Sequence, residues 1–184
     1  MIRRLLTTLI LWILVLTLIP PPTTAADPPP TTSTPNTAPK RPTDCATTFA
    51  ANPELIKYQA AVSDHYRDVH KLATGMGVTI GIIDTGVAPH PRLPPITDGG
   101  DFLEPKAGAT VDCDAHGTIV AGVIAAHDTG DGIVGVAPDA AIMSFRQTSS
   151  QSKETDTGGT LATLTTAINA AIDKKVQVIN ISVV

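Results

Sequence analysis

The sequence is poor in aromatic residues and carries no excess of basic charge. Phe, Trp and Tyr make up 3% of the 184 residues, so Ala, Val, Ile and Leu must supply most of the apolar content. Such residues favour an α/β domain, in which β-branched strands pack under alanine-rich helices. Because the net charge is -4, the chain offers no basic surface, and we expect no binding to nucleic acid.

The sequence also lacks an apolar run of comfortable membrane-spanning length. The run from Leu5 to Ile19 is shorter than the about 20 residues that a spanning helix needs. Two arginines precede it and small residues follow it, so residues 1–26 have the layout of a secretory signal peptide cleaved before Asp27. An uncleaved N-terminal anchor is the alternative. In both cases we expect the rest of the chain to lie outside the cytoplasm, secreted or in the cell envelope.

Cysteine is nearly absent, since Cys45 and Cys113 are the only two. Outside the cytoplasm an even pair is by default a disulfide, and two buried free thiols are the alternative. A bridge over so long a loop would stabilise the fold by roughly 4 kcal/mol on the chain-entropy model. Neither cysteine has a partner at metal-ligand spacing and no acidic loop has calcium-ligand spacing, so we predict no metal and no cofactor.

Folded structure is predicted to begin near Cys45. Residues 27–44 are rich in Pro and Thr, have too little apolar surface to offset chain entropy, and are interpreted as a disordered linker. Residues 45–77 are predicted to form an N-terminal extension with a helix that begins after an Asn52 cap. One face of this helix should be buried, because apolar residues recur there at three- and four-residue steps. They are Leu55, Tyr58, Val62, Tyr66, Val69 and Leu72.

From residue 78 onwards, apolar strand patterns alternate with helix patterns. Buried strands are predicted at Val78–Ile83, Ala140–Phe145 and Val176–Val184. Helices are predicted after His116 and from Gly158 or Thr160. This alternation predicts right-handed crossovers and an α/β fold with helices on both faces of a parallel sheet. The second helix should turn one apolar face inward, formed by Leu161, Leu164, Ile168 and Ile172.

Two connections are predicted to be irregular. Prolines and glycines mark Ala88–Gly108 as a surface loop, and the polar, Ser/Thr-rich segment Gln147–Thr157 is predicted to be a mobile one.

The residues that suggest chemistry are an acid and a histidine at the ends of such elements. Asp84 follows the first strand, where parallel sheets build their sites, and His116 opens a helix. A carboxylate in this position can accept the imidazole Nδ1–H, fix the tautomer and support Nε2 as a base toward a serine. An Asp-Thr-Gly sequence after an apolar run also occurs in aspartic proteases, but those need two such aspartates sharing one proton, and here Asp84-Thr85-Gly86 alone follows an apolar run, so this alternative would need a homodimer.

The other polar residues considered have simpler interpretations. Asp112 and Asp114 are predicted to be solvated loop acids. His65 and His70, on the N-terminal helix, are predicted to be surface or packing residues.

Four blocks in register resemble the subtilisin-like serine proteases, or subtilases, in which the acid, the histidine and the serine follow in that chain order. The blocks are Gly77–Val87, His116–Gly122, Gly135–Ala140 and Val178–Ser182. Further segments resemble the mycosins, subtilases associated with type VII secretion in mycobacteria and their relatives. These are Pro89–Pro94, Asp112–Thr118, Arg146-Gln147 and Gly159–Leu164.

The resemblance implies a serine endopeptidase acting on protein or peptide substrates, with the type VII secretion membrane complex as a partner. Asp84 would orient His116, and His116 would act as general base and then general acid. The family also implies a disulfide from Cys45 to Cys113 that ties the extension to the catalytic domain. The strand that pairs with substrate would correspond to Ser182, Val183 and Val184.

The subtilase pattern also requires an oxyanion-hole Asn and a Ser in a Gly-Thr-Ser block, and mycosins carry a C-terminal membrane helix. These patterns do not occur up to Val184. We therefore expect residues 78–184 to be the N-terminal part of a catalytic domain whose sheet is incomplete, encoded in a longer reading frame and inactive alone. The alternative is a non-catalytic structural or scaffold component of a secretion complex.

Overall fold

The structure is a computed structural model that describes residues 45–46, 52–103, 107–150 and 159–183. The predicted signal peptide and the Pro/Thr-rich linker lie outside the described residues. Among those described, no helix combines the length and the apolar character that a membrane crossing requires. The elements are α1 (Pro53–His70), β1 (Thr79–Asp84), β2 (Ile96–Asp101), α2 (His116–Ala125), β3 (Ala141–Arg146), α3 (Leu161–Asp173) and β4 (Val178–Ile181).

The four strands form one parallel sheet in the order β2-β3-β1-β4. β1 lies inside the sheet, since it pairs with β3 on one side and with β4 on the other. Nearly all of its residues are buried, and its side chains alternate between the two faces. Ile80 and Ile82 pack on the side of α2, whereas Ile83 packs on the side of α3. The prediction of a parallel sheet with helices on both faces is therefore confirmed.

Small residues bring both helices close to the sheet. Ala121 and Ala125 of α2 pack on Ile80, Ile82 and Ile142. On the other face, the buried side chains of α3 that meet the sheet are also alanines, with Leu164 and Ile168 packed beside them. The predicted apolar face of α3 is wrong at its two ends, because Leu161 and Ile172 are exposed.

The prediction of an irregular loop across Ala88–Gly108 is wrong at its centre, where β2 pairs in parallel with β3. This edge strand has the sequence Ile-Thr-Asp-Gly-Gly-Asp, which lacks the β-branched run that marks a buried strand. Position 99 requires a glycine, because the Cβ of any other residue would lie 2.6 Å from the Ser144 carbonyl oxygen and 2.7 Å from the Phe145 ring. The pairing shifts register at this point, between Asp98 and Gly100.

Two further predictions need correction. The segment after β3 is not a mobile surface loop at its start, since Gln147, Thr148 and Ser149 are buried; residues 151–158 lie outside the described residues. The last strand is shorter than predicted and is not fully buried, because β4 lies at an edge of the described sheet with Val178 and Ile181 exposed.

Helix α1 begins as predicted, with the Asn52 side chain accepting from the Glu54 amide at 2.9 Å. Its inward face differs from the prediction, because its buried residue is Ser63 and most of the predicted apolar stripe is exposed. The exposed members are Leu55, Tyr58, Val69 and Leu72. The periodicity of these residues located a helix correctly, but the inward side is mixed, since the predicted Val62 and Tyr66 are half-buried beside the buried Ser63.

Candidate active site

Asp84 is the last residue of β1, and its side chain is fully buried. Its main chain is held in register with Arg146 of β3, and its carbonyl accepts from the Gln147 amide at 2.8 Å. Its Oδ1 accepts from the Thr85 amide at 2.6 Å. Both the backbone and the carboxylate are therefore fixed at the carboxyl end of an inner strand, as expected for a site in a parallel sheet.

His116 is the first residue of α2, and its Nδ1 lies 2.8 Å from Asp84 Oδ1. The imidazole is 43% exposed, whereas the carboxylate behind it is 0% exposed. The preceding Ala115 has φ 63, a left-handed conformation that costs an L residue roughly 1–2 kcal/mol. The chain thus makes a strained turn directly before the histidine, as residues at functional sites often do.

Two glycines allow the acid-bearing and histidine-bearing segments to touch. A Cβ at Gly117 would lie 2.1 Å from the Gly86 carbonyl oxygen and 3.1 Å from the Asp84 side chain. Gly86 has φ +107, and a Cβ there would lie 2.2 Å from the Val111 oxygen. Backbone in contact with backbone is what brings Nδ1 of His116 within hydrogen-bonding distance of Asp84.

The prediction that Asp112 is a solvated loop acid is wrong. It is 2% exposed and accepts hydrogen bonds from Thr85 Oγ1 and from the Thr118 amide, both at 2.8 Å, and a third from Thr118 Oγ1. Thr85 Oγ1 in turn accepts from the Gly117 amide at 2.9 Å. The sequence signal for this role was slight: an acid four positions before a histidine that opens a helix.

Asp114 is not simply solvated either. Its carboxylate accepts from Ser149 Oγ at 2.7 Å, from the Ser150 amide at 2.9 Å, and from Ser150 Oγ. These bonds fasten the segment before His116 to the segment after β3. The donors lie 35 and 36 positions further along the chain and satisfy the carboxylate.

Cys45 and Cys113 form a disulfide, with Cα atoms 4.4 Å apart and a sequence separation of 68. The alternative of two free thiols is therefore wrong. The Ala46 amide also donates to the Cys113 carbonyl at 2.8 Å. The N-terminal segment is thus fastened, covalently and by a main-chain bond, to the residue that follows Asp112.

The predicted substrate-pairing segment follows β4. The Ser182 amide lies 3.4 Å from the Ile83 carbonyl, and its hydroxyl donates to Asn180 Oδ1 at 2.8 Å. Val183 is exposed, and Val184 lies outside the described residues. A role for these three residues in substrate binding stays a prediction.

The two histidines of α1 lie away from the Asp84–His116 pair. His65 is exposed, and His70 Nε2 lies 3.0 Å from the Val136 carbonyl, where it fastens the helix to a loop.

The described residues supply an acid and a base, and each described serine hydroxyl donates a hydrogen bond to another protein oxygen. Ser63 donates to the Val134 carbonyl, Ser144 to the Ala109 carbonyl, Ser149 and Ser150 to the Asp114 carboxylate, and Ser182 to the Asn180 side chain. Within the same residues, Asp84 Oδ2 is buried without a hydrogen-bond partner. The arrangement can orient an imidazole and hold it as a proton acceptor toward a group brought to its exposed side.

A model of the subtilase family matches residues 75–184. Mycosin-1 of Mycobacterium tuberculosis is 45% identical over 128 residues, which cover 62% of this chain and 28% of the relative. The chain spans about a third of the length of the curated relatives it matches.

Solved structures agree with these sequence matches. The serine protease MycP1, an essential component of the type VII (ESX-1) secretion system, aligns at a TM-score of 0.59 and 39% identity over 78% of this chain and 40% of its own. A chain of the periplasmic assembly from the ESX-5 inner membrane complex aligns at 0.58 and 33% identity, covering 73% of this chain and 38% of that one.

Proposed function

The chain belongs to the subtilase family, and from this premise we propose that it carries the acid and the base of a serine endopeptidase linked to type VII secretion. The observation that supports the proposal is the 2.8 Å contact between His116 Nδ1 and the buried Asp84 carboxylate. Such a pair, with the imidazole partly open to solvent, suits proton transfer during attack on a peptide bond.

In this mechanism Asp84 accepts the Nδ1–H of His116 and thereby selects the tautomer whose Nε2 carries a lone pair. Nε2 then removes the proton from a serine hydroxyl as that oxygen attacks the peptide carbonyl. The resulting imidazolium is stabilised by the buried carboxylate and donates its proton to the leaving amine. Burial strengthens this interaction because few water molecules screen it.

The nucleophile and the oxyanion-hole donor lie, on this proposal, outside the described residues. Each serine hydroxyl described above already donates to another protein oxygen. Those bonds hold the hydroxyls in structural roles. A serine supplied to the exposed side of His116 would complete the charge-relay site.

The setting we propose is extracytoplasmic, in or near the cell envelope. Two observations support it: a disulfide between Cys45 and Cys113, a bond typical of oxidising compartments, and the likeness to a chain of an ESX-5 periplasmic assembly. We infer that the partner is a type VII secretion membrane complex and that the substrates are proteins or peptides.

The endopeptidase proposal is tested with a fluorophosphonate probe, which reacts with activated serines. The protein is enriched from the envelope of the cell that makes it and labelled as the wild type, H116A, D84N and H65A. We expect labelling of the wild type and of H65A, in which an exposed histidine of α1 is lost, and a loss of several orders of magnitude in the labelling rate of the other two. Equal labelling of H116A and the wild type, or none of the wild type, would contradict the proposal and favour a scaffold role.

The partner is tested separately, by purifying the protein from gently solubilised envelope. Secretion-complex subunits should copurify with the wild type and equally with H116A, since assembly does not need the base. Recovery of the protein alone under conditions that keep the complex intact would refute the proposed partner.

A further inference from the structure

Asp112 connects the backbone directly after the acid to the backbone directly after the histidine. Through Thr85 Oγ1, at 2.8 Å, it reaches the residue that follows Asp84. Through the Thr118 amide, also at 2.8 Å, it reaches the first turn of the helix that His116 opens. Because Asp84 and His116 each lie within two positions of a tether, small movements of Asp112 must change the distance between them.

A second connection makes this a closed ring of hydrogen bonds. The Gly117 amide donates to Thr85 Oγ1 at 2.9 Å, so the hydroxyl that donates to Asp112 also accepts from the residue after His116. The Thr118 hydroxyl accepts from the Ala88 amide at 2.9 Å. The carboxylate and two threonine hydroxyls thus bind the end of β1, the turn after it and the start of α2 into one unit.

The environment makes these bonds strong and hard to replace. Asp112 is 2% exposed, so water cannot take over a lost partner, and hydrogen bonds to a carboxylate are shorter and stronger than those between neutral groups. The first amides of a helix have no partner within the helix; the Thr118 amide finds its acceptor in Asp112, and an acid at this position is favoured by the helix dipole.

We propose that Asp112 is a positioning residue that sets the Asp84–His116 hydrogen bond. The inference rests on the proposed function only in taking that pair as the acid and base. Asp112 does not touch the imidazole; it acts through Thr85 and Thr118. Its removal should loosen the Nδ1–Oδ1 contact while the sheet, the disulfide and the helices persist.

Substitution by Asn weakens the tethers whichever way the amide points. With its NH₂ toward Thr118, two donors face each other, because the Thr118 amide can only donate. With its NH₂ toward Thr85, Asn can donate to Thr85 Oγ1 and accept from Thr118, but the hydrogen of the Thr85 hydroxyl loses its acceptor and the bonds from Thr118 no longer reach a charged oxygen. If Asp112 were only a structural anchor of its loop, its substitution would lower the melting temperature alone. If it positions the pair, its substitution must also change how fast the His116 Nδ1 proton exchanges with water.

The measurement is the NMR signal of the His116 Nδ1 proton in this chain, assigned by its absence in H116Q. In the wild type we expect a downfield signal protected from exchange with water. In D112N and in T118V this proton should exchange about tenfold faster, the factor that corresponds to one hydrogen bond worth about 1.4 kcal/mol. T118S, which keeps the hydroxyl, should restore the protected signal. D139N removes an equal charge from an exposed position and should leave the signal unchanged.

Unaltered protection in both D112N and T118V would overturn the proposal, as would a wild type without a protected proton. If D112N does not fold, the comparison of T118V with T118S decides alone. The signal needs no nucleophile, so a failure of fluorophosphonate labelling refutes the endopeptidase and leaves this result standing.

Discussion

The close contact at Gly117 gives the sharpest prediction about stability. In Gly117→Ala the new methyl group would lie 2.1 Å from the Gly86 carbonyl oxygen, and this oxygen belongs to the backbone, which cannot rotate away as a side chain can. The two segments must separate by about 1 Å to reach ordinary contact. Overpacking of this kind costs about 1–3 kcal/mol, and we expect the upper half of that range because the two residues that the methyl group would meet, Gly86 and Asp84, are both buried.

The same helix provides a matched control. Gly122 has open space within 4 Å of an added Cβ, so Gly122→Ala introduces no clash and gains about 0.8–1 kcal/mol of helix propensity. The two variants have identical composition, and their free energies of unfolding should differ by about 3 kcal/mol. In a domain of this size the melting temperatures should then differ by roughly 6–12 °C.

Urea unfolding gives the free energies, and the His116 Nδ1 proton signal reports on the pair. Gly117→Ala should be less stable than the wild type and lose the protected signal, whereas Gly122→Ala should be more stable and keep it. If Gly117→Ala were as stable as Gly122→Ala with the signal intact, the contact between Gly86 and Gly117 would not be what sets the pair.

Two further predictions concern how the N-terminal segment is held. Reducing the Cys45–Cys113 disulfide should lower the free energy of unfolding by about 4 kcal/mol at most; the chain has no other cysteine, so unchanged urea unfolding in reductant would refute this. The hydrogen bond and ion pair with Arg67, with amide bonds from a following turn, hold the pKa of Asp128 below its ordinary value of 3.8. A lowered pKa contributes stability that is present above the unfolded value and lost as pH falls through the folded one, so the protection factors of the α1 amides against hydrogen exchange should fall below about pH 4. Arg67→Gln should remove most of this pH dependence, and an identical profile in that variant would contradict the assignment.

Much of the sheet could be predicted because local patterns there agree with the tertiary structure. A short β-branched run bounded by glycines favours a buried strand over a helix, and β1 is such a strand. Asp84 and His116 could be predicted as neighbours because parallel sheets present the ends of their strands at one edge. The pairing of Cys45 with Cys113 needed no geometry, since only two cysteines exist.

The predictions from sequence were wrong where residues far away in the chain determine the local structure. β2 is a strand because Gly99 fits against Phe145, which no property of its own six residues reveals. Asp112 resembles any loop acid in sequence; it is buried because Thr85, 27 positions earlier, provides a donor. Hydrogen bonding across the fold can make a polar residue part of the core, and periodicity does not record such bonds.

Helix α1 was predicted correctly in one respect and wrongly in another. Its periodicity identified the helix, but did not show which side of it faces the rest of the fold. Ser63, Arg67 and His70 recur at helical steps and contact the chain between residues 128 and 136. Ser63 Oγ donates to the Val134 carbonyl at 3.0 Å and accepts from the Val134 amide at 3.1 Å, and an Arg67 nitrogen donates to the Gly132 carbonyl at 3.0 Å. Polar bonds to main-chain groups gain little from the hydrophobic effect, and the ion pairs weaken in salt. Apart from the half-buried Val62 and Tyr66, the described contacts of the helix are such directional bonds, so it should detach before the sheet unfolds.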